Sequence, residues 1–526
     1  MAFLGEGSFG YVTTVQNNPK LAVKTYKTDN KENTYGLEYD YVREIDFLTT
    51  FHHPHIIECN SFTQNNQSCK LYMPRMKTDI WNWLERNTPS EDLCLKWFCE
   101  ALDVLCALHE KEFFHRDIKP ENMLLDSKKL LYFCDFGCIT SCQRQNPAFT
   151  HPVCTLWYRP LEVFFKKDRY TSALDVWSLG ASFIEIITGK TWIMGDKESD
   201  QIRKICFWTG TPSATDFEAF GLRSYEEFDS FLSDVPKFIY KQQIRKHLSS
   251  YIKQNTKLID VLEGMLKPNP TERLTAADAL LKLNPNYVRT PLLQKPIVVG
   301  RPKVFTYHRQ NSLTNEHRRI LVEYMFETTV SFNFTLNVYF CAVNLVDRYL
   351  SVKEATKENF QLIGCSSLLL ASKIYETKSF TPENLVYASD YAFLLSHILD
   401  MEVEIFSTLG GQISLFSLES ISCLNKSFHS DDIKKLLCKY FFVLASNCFH
   451  IWHKRNSVFQ SILLLVKNFY IVYEVPCINI NFKNIKKNCN RYVCKFLKNE
   501  HESNRSLVIK NFFSKKHKFF SDLQFI

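Results

Sequence analysis

Apolar positions fall into distinct regimes along the chain. Near the start, LAVK, Leu21 to Lys24, alternates with the period of a strand, and the glycine-spaced GEGSFGYV before it reads as a hairpin. The stretch LEYDYVREIDFLTTFHH then carries more apolar surface than one helical face needs. At helical spacing Leu37, Tyr41, Ile45 and Leu48 share a side, as a helix packed on its own domain requires, while Tyr39 and Val42 point elsewhere. That second face implies a cover from another part of the chain. From about residue 315, LTNEHRRILVEYMFETT, CAVNLVDRYLSV, NFQLIGCSSLLLASKIYE, ENLVYASD and LLSHILDMEVEIFSTL succeed one another as amphipathic helices. Periodicity alone makes this an all-α domain. Between the two regimes, NPNYVRTPLLQKPIVVGRPKVFTYHRQNS has prolines and no helical period. Its roughly 28 residues reach up to about 90 Å if extended, enough to bridge neighbouring domains.

At 526 residues the chain is too long for one core, and about one domain per 100–200 residues allows two to four. A hydrophobic share of 45% and a charged share of 23% fit globular domains. The net charge of +8 is too mild to argue for nucleic acid as a partner. The 18 cysteines are sparse and unrepeated in spacing, and no charged region followed by an apolar core opens the chain. A reducing compartment, nucleus or cytoplasm, is therefore expected. Cys134, Cys138 and Cys142 recur every fourth residue, but no paired CxxC appears, so they read as thiols rather than metal ligands. The longest apolar run, ILLLV at Ile462, is broken by Lys467, and no membrane span is expected.

The candidate chemistry lies in the first half. Gly5, Gly7 and Gly10, then Val12, form a G-x-G-x-x-G that is weak taken alone. The next element is a strand ending in Lys24, where a dinucleotide fold would go straight into a helix. Glycines in a hairpin let backbone N–H groups approach phosphates, and Lys24 supplies a positive charge for them. Glu44, in the apolar helix, is the natural holder of that lysine. In FHRDIKPENMLL, Asp117 fits the carboxylate that orients a hydroxyl nucleophile and accepts its proton. Lys119 neutralises charge on the transferring group. Asn122 and Asp135, of CDFG, are oxygen ligands placed to hold Mg²⁺ between phosphates.

These motifs, in this order and at this spacing, resemble a eukaryotic protein kinase over residues 1 to about 288. TLWYRPLE from Thr155, DVWSLG from Asp175, WTGTP from Trp208 and MLKPNPTERLTAADAL from Met265 resemble the cyclin-dependent branch. The resemblance implies a bilobal α+β kinase fold and ATP with Mg²⁺ as cofactors. It implies that Thr155 joins the catalytic set, that Glu162 pairs with Arg273, and that Asp175 braces the catalytic loop. At the hinge, Met73 is the gatekeeper, Pro74 offers adenine a carbonyl and Met76 an N–H; proline suits a position that needs no donor.

Some positions depart from the family. Ser8 and Phe9 stand where an inhibitory Thr-Tyr pair is phosphorylated, so the tyrosine arm of that brake is expected to be absent. Thr150 falls at the activating phosphosite, with Arg43 and Arg116 matching two of three phosphate-binding arginines and Thr140 at the third. A phosphothreonine orders a segment only where arginines pair its charge. Phosphorylation is therefore expected to help less here. PLE replaces the usual APE but keeps Glu162. The chain starts about four residues before the glycine loop, which shortens the first strand and is expected to loosen the nucleotide roof.

VNLVDRYLS, LLASKIYE and ILDMEVEIFSTL resemble the first cyclin box, across about 315 to 412. By that resemblance Lys373 and Glu402 are the pair that binds kinase backbone beside the helix EYDYVRE, and Tyr39 and Val42 acquire their cover. HRRIL, with His317, Arg319 and Tyr324 at the substrate-docking patch, implies poor binding of RxL-type substrates. Further helical segments over 413–476, FSLESISCLNKSF among them, read as a second cyclin-like repeat. The tail over 477–526 is rich in Lys and Asn with interleaved Phe and Tyr. Nuclear import, an RNA contact and a solvated face all fit it, and the solvated face is preferred because no RNA-binding motif accompanies it.

The expected organisation is thus a kinase domain over 1–288, a linker over 289–312, a cyclin box over 313–412, a second repeat and a basic tail. It implies a serine/threonine kinase acting on Ser/Thr-Pro sites, carrying its own activator at an effective concentration around millimolar. The rival expectation is a binding protein that sequesters host kinase inhibitors or activates a host kinase in trans. The abundance of Phe, Lys, Asn and Ile suggests an AT-rich source, such as a large DNA virus within a host cell.

Overall fold

The computed structural model describes residues 2–7, 10–27, 36–65, 68–141, 154–165, 171–222, 227–228, 240–292, 310–376 and 379–414. The chain divides into two compact units, Met1–Pro296 and Ile297–Ile526. Ser8, Phe9, Cys142, Thr150, the second repeat beyond residue 414 and the basic tail lie outside the described residues.

The first unit opens with strands β1 (Phe3–Gly7), β2 (Gly10–Val15) and β3 (Asn18–Tyr26), then helix α1 (Tyr39–Thr50), then β4 (Ser61–Asn65) and β5 (Ser68–Pro74). They form one antiparallel sheet in the order β1-β2-β3-β5-β4. The register sets Val12 opposite Lys24 and Ala22 opposite Met73. Gly10 is required by packing, since a Cβ there would sit 2.3 Å from the carbonyl oxygen of Thr25. A Cβ on Gly5 would meet nothing within 4 Å, so strand β1 faces open space at that point.

Helix α1 is buried from Tyr41 through Leu48, polar residues included. Its core-facing Phe47 stacks on Phe136 with centroids 4.5 Å apart. After a short β6 (Thr78–Asp79) and α2 (Ile80–Leu84), the long α3 (Glu91–Glu110) is capped by Ser90, whose hydroxyl accepts from the Leu93 N–H. Strands β7 (Phe113–Phe114), β8 (Met123–Leu125), β9 (Leu131–Phe133) and β10 (Thr140–Ser141) frame the catalytic loop, with β6-β8-β9 in one small sheet and β7 beside β10.

Helices α4 (Leu161–Phe164), α5 (Ala173–Thr188), α6 (Glu198–Thr209), α7 (Ala214–Phe220), α8 (Ile244–Leu248), α9 (Thr256–Met265) and α10 (Ala276–Leu283) complete this unit. Helix α5 is nearly all buried and ends at Gly189 in the left-handed region, φ 67°. Residues expected at the start of a linker are pinned to α3: Asp103 accepts from the Thr290 N–H and hydroxyl, and Arg289 pairs with Glu110.

The second unit holds α11 (Asn315–Ser331), α12 (Leu336–Leu350), α13 (Lys357–Tyr375), α14 (Pro382–Ala388) and α15 (Leu395–Thr408). Helix α13 is central, with every residue from Ile363 to Tyr375 buried. It therefore lacks the polar stripe of a surface helix. A Cβ on its Gly364 would lie 2.7 Å from Leu321 Cδ1, so the glycine brings α11 close. Gln310 ties the entry of this unit to the end of α12 through the carbonyls of Leu350 and Lys353. The architecture is the expected α+β kinase fold followed by an all-α cyclin fold.

Candidate active site

A cavity of about 740 Å³ opens between the five-stranded sheet and the helical part of the first unit. That volume suits a nucleotide. Gly5, Gly7, Gly10 and Val12 line its roof, Met73, Pro74 and Met76 its edge, and Lys24, Glu44, Lys119, Asn122 and Asp135 its polar end. The expected ATP-binding residues and the two expected metal ligands thus share one cavity.

Lys24 bridges two carboxylates, with its Nζ 2.6 Å from Glu44 Oε2 and 2.6 Å from Asp135 Oδ1. Burial works against the lysine's charge, but Asp135 and Glu44 outweigh it and hold the ammonium well above its ordinary pKa. Asp135 moves the other way: burial would raise it, and Lys24 holds it below the usual carboxylate range. Both therefore stay charged at neutral pH. The Phe136 N–H donates to Glu44 Oε1 at 3.1 Å, which links α1 to the segment after β9.

Asp117 is held by three neighbours. Its carboxylate accepts from Lys119 Nζ at 2.8 Å, the Thr155 hydroxyl at 2.8 Å and Asn122 Nδ2 at 3.1 Å. Lys119 also reaches the Thr155 hydroxyl, at 3.1 Å. Burial opposes the charge of Lys119, and Asp117 more than restores it. Asp175, fully buried, accepts from the backbone N–H groups of His115 and Arg116, each at 2.9 Å. Arg116 sits at φ 69°, a strained conformation for a residue with a side chain, and Asp175 fixes it there. Burial disfavours the Asp175 anion, but His109 and these N–H donors hold its pKa down. Glu162 and Arg273 form a buried bidentate pair at 2.6 and 2.8 Å.

Asn122 spends its amide nitrogen on Asp117 and its backbone oxygen on the Cys134 N–H, and Asp135 is ionised at the same cavity. Two oxygen donors from two elements fit an oxygen-seeking Mg²⁺. Arg43 and Arg116 lie close together: burial lowers Arg43 to about 10, and the Arg116 charge adds to the effect. Thr150 lies outside the described residues, so its relation to that pair does too. Thr140, at the third position, is paired with Phe114 in the β7-β10 ladder.

Tyr39 opens α1, with the Arg43 guanidinium 5.4 Å from its ring centre, and Val42 is fully buried. In the second unit Lys373 on α13 and Glu402 on α15 form a buried ion pair. His317 closes a capping box with Thr314, and Arg319 pairs with Glu316 and Glu323, so the HRRIL surface is charged. Tyr324 lies beside Cys365, its oxygen 3.3 Å from the sulfur.

Sequence reasoning missed part of the lining: Ala22, Ile57 and Leu124 among the apolar residues, Asp79, Asn82, Glu121 and Cys134 among the rest. Ala22 was legible, being two residues before Lys24 and so on the same strand face. Asp79 and Asn82 carried no signal, because Asp79 reads only as the cap of α2, accepting from the Asn82 N–H at 2.8 Å.

Among known proteins, the protein kinase domain family matches residues 1–283 and the cyclin N-terminal domain family residues 293–414. The chain is 30% identical over 285 residues to Cyclin-dependent kinase 2 of Caenorhabditis elegans, a span covering 53% of this chain and 75% of that relative. The chain belongs to the protein kinase family. Within it, this is a cyclin-dependent kinase relative whose own chain continues into a cyclin domain.

Proposed function

We propose that the chain is an active protein serine/threonine kinase, selective for Ser/Thr-Pro sites and activated in cis by its cyclin domain. The observation that carries the catalytic reading is Asp117, aligned by Lys119, Thr155 and Asn122. ATP supplies the transferable phosphoryl group, and Mg²⁺ held by Asn122 and Asp135 would neutralise its charge. Asp117 orients the substrate hydroxyl and accepts its proton as the oxygen attacks the γ-phosphorus and the bond from that phosphorus to the β,γ-bridging oxygen breaks, releasing ADP. Lys119 offsets charge on the transferring group. Lys24 orients the remaining phosphates, and Glu44 orients Lys24.

Proline selectivity is supported by HPVCTLWYR, which resembles the family's segment facing the residue after the acceptor. Cis activation is supported by the cyclin domain in the same chain and by Lys373 and Glu402, a pair the family uses against the kinase helix. Tyr39 and Val42 are the proposed counterpart on α1. The free thiols among the described cysteines suit a reducing compartment.

Radiolabelled ATP with a Ser-Pro peptide tests catalysis: wild type is expected to label the peptide at least ~1000-fold faster than Asp135→Asn. Equal labelling would reject catalysis by this chain and leave the reading of a non-catalytic binding protein. Undiminished activity after removal of the residues beyond about 300 would refute the built-in activator.

A further inference from the structure

Tyr26 has no part in phosphoryl transfer itself, yet it touches α1 twice. Its hydroxyl donates to Glu44 Oε2 at 2.5 Å, and its ring meets that of Tyr41 edge-on with centroids 5.0 Å apart. Tyr41 and Glu44 are three apart on α1 and so share a face. Tyr26 lies two residues beyond Lys24 on β3, on the same side of the strand. It is only 3% exposed, and it does not line the cavity.

These contacts matter because Glu44 Oε2 has two donors of different kinds. Lys24 faces the cavity and also serves Asp135, so entering phosphates compete for its ammonium. Tyr26 is out of their reach. A buried carboxylate that loses its donors is costly, more so when it is charged. Burial, and then the Glu44 charge, push the Tyr26 hydroxyl well above its ordinary pKa, so it stays a donor at working pH.

We propose that Tyr26 is a positioning residue that holds Glu44, and with it α1, against β3 while Lys24 turns to the nucleotide phosphates. A share of the catalytic placement of α1 is then built into the kinase half. This inference rests on the kinase reading above and deepens it.

The test measures direct binding of Mg²⁺-ADP and of adenosine to the full chain, as wild type, Tyr26→Phe and Tyr26→Leu. Phenylalanine keeps the ring on Tyr41 and removes only the hydroxyl. The expected result is about tenfold weaker Mg²⁺-ADP binding for Tyr26→Phe, with adenosine affinity within about twofold of wild type, because adenosine does not compete for Lys24. Tyr26→Leu is expected to match or exceed that loss. Equal losses for both ligands would assign Tyr26 to general packing and overturn the proposal. So would a Phe variant that binds both ligands as wild type does. A wild-type chain that binds neither ligand would overturn the kinase reading and this inference with it.

Discussion

Two buried ion pairs, one in each half of the chain, show how the same chemistry serves different ends. Lys24 and Glu44 in the nucleotide cleft have side chains 8% and 1% exposed; Arg318 and Asp347 in the helical domain are 2% and 0% exposed. Burial does not distinguish them. Geometry does. Arg318 engages Asp347 through Nε and Nη2, both at 2.8 Å, so a rigid fork ties α11 to α12. Lys24 is a point charge divided between Glu44 and Asp135 at the wall of an open cavity. The Arg318 pair joins two helices through a bidentate fork, while the Lys24 pair can be redirected by a phosphate. A buried pair reads as functional when a cavity reaches it.

The comparison breaks first at Asp347. Asp347→Ala leaves the Arg318 charge buried and is expected to cost about 4 kcal/mol in the unfolding of the helical domain, read by chemical denaturation. Replacing both partners by Met and Leu is expected to change stability by less than about 1 kcal/mol. A large loss in the double variant would show that the fork does more than fasten two helices. Lys24→Arg sharpens the other side. A guanidinium is larger and presents its donors in a rigid planar fork where the ammonium is a compact point charge. It therefore cannot keep the 2.6 Å contacts to Glu44 and Asp135 and also meet the phosphates, and phosphotransfer is expected to fall about 100-fold with the melting temperature nearly unchanged. Retained activity would remove the distinction between fork and point charge.

A smaller effect lies away from both pairs. Burial pushes the Glu185 carboxyl up to about 7, against the Tyr158 hydroxyl, which donates to it at 2.8 Å. Between its ordinary value of 4.5 and about 7 the folded chain holds a proton that the unfolded chain has lost. Stability from this group is therefore full below that window and declines as pH rises through it, by on the order of 3 kcal/mol. Glu185→Gln is expected to flatten the difference in melting temperature between about pH 5 and about pH 8. An unchanged difference would place the pH dependence elsewhere.

Much of the site was legible because its parts are local. Asp117, Lys119 and Asn122 lie within six consecutive positions, and Asp135 comes one β-turn-β excursion later, so local geometry brings Lys119, Asn122 and Asp135 to one cavity, with Asp117 bonded to the first two. The helices of the second unit were legible from period, and α13 from its apolar run. Asp79 and Asn82 were not, since a helix cap and a cavity lining leave the same mark in sequence. Tyr26 was not either: the strand pattern gives its face but not the helix that lies across it.

The sequence by itself determined where strands and helices form, which short segments carry phosphate-handling side chains, and that a kinase-like half precedes a cyclin-like half. Each comes from neighbours a few residues apart, through backbone preference and hydrophobic period. Only the tertiary structure decided that Tyr26 meets Glu44, that Asp79 and Asn82 reach the cavity, and that the brace from Asp175 holds Arg116 at a positive φ. Such contacts depend on how rigid elements pack, and burial then makes each unpaired charge too costly to leave without its distant partner.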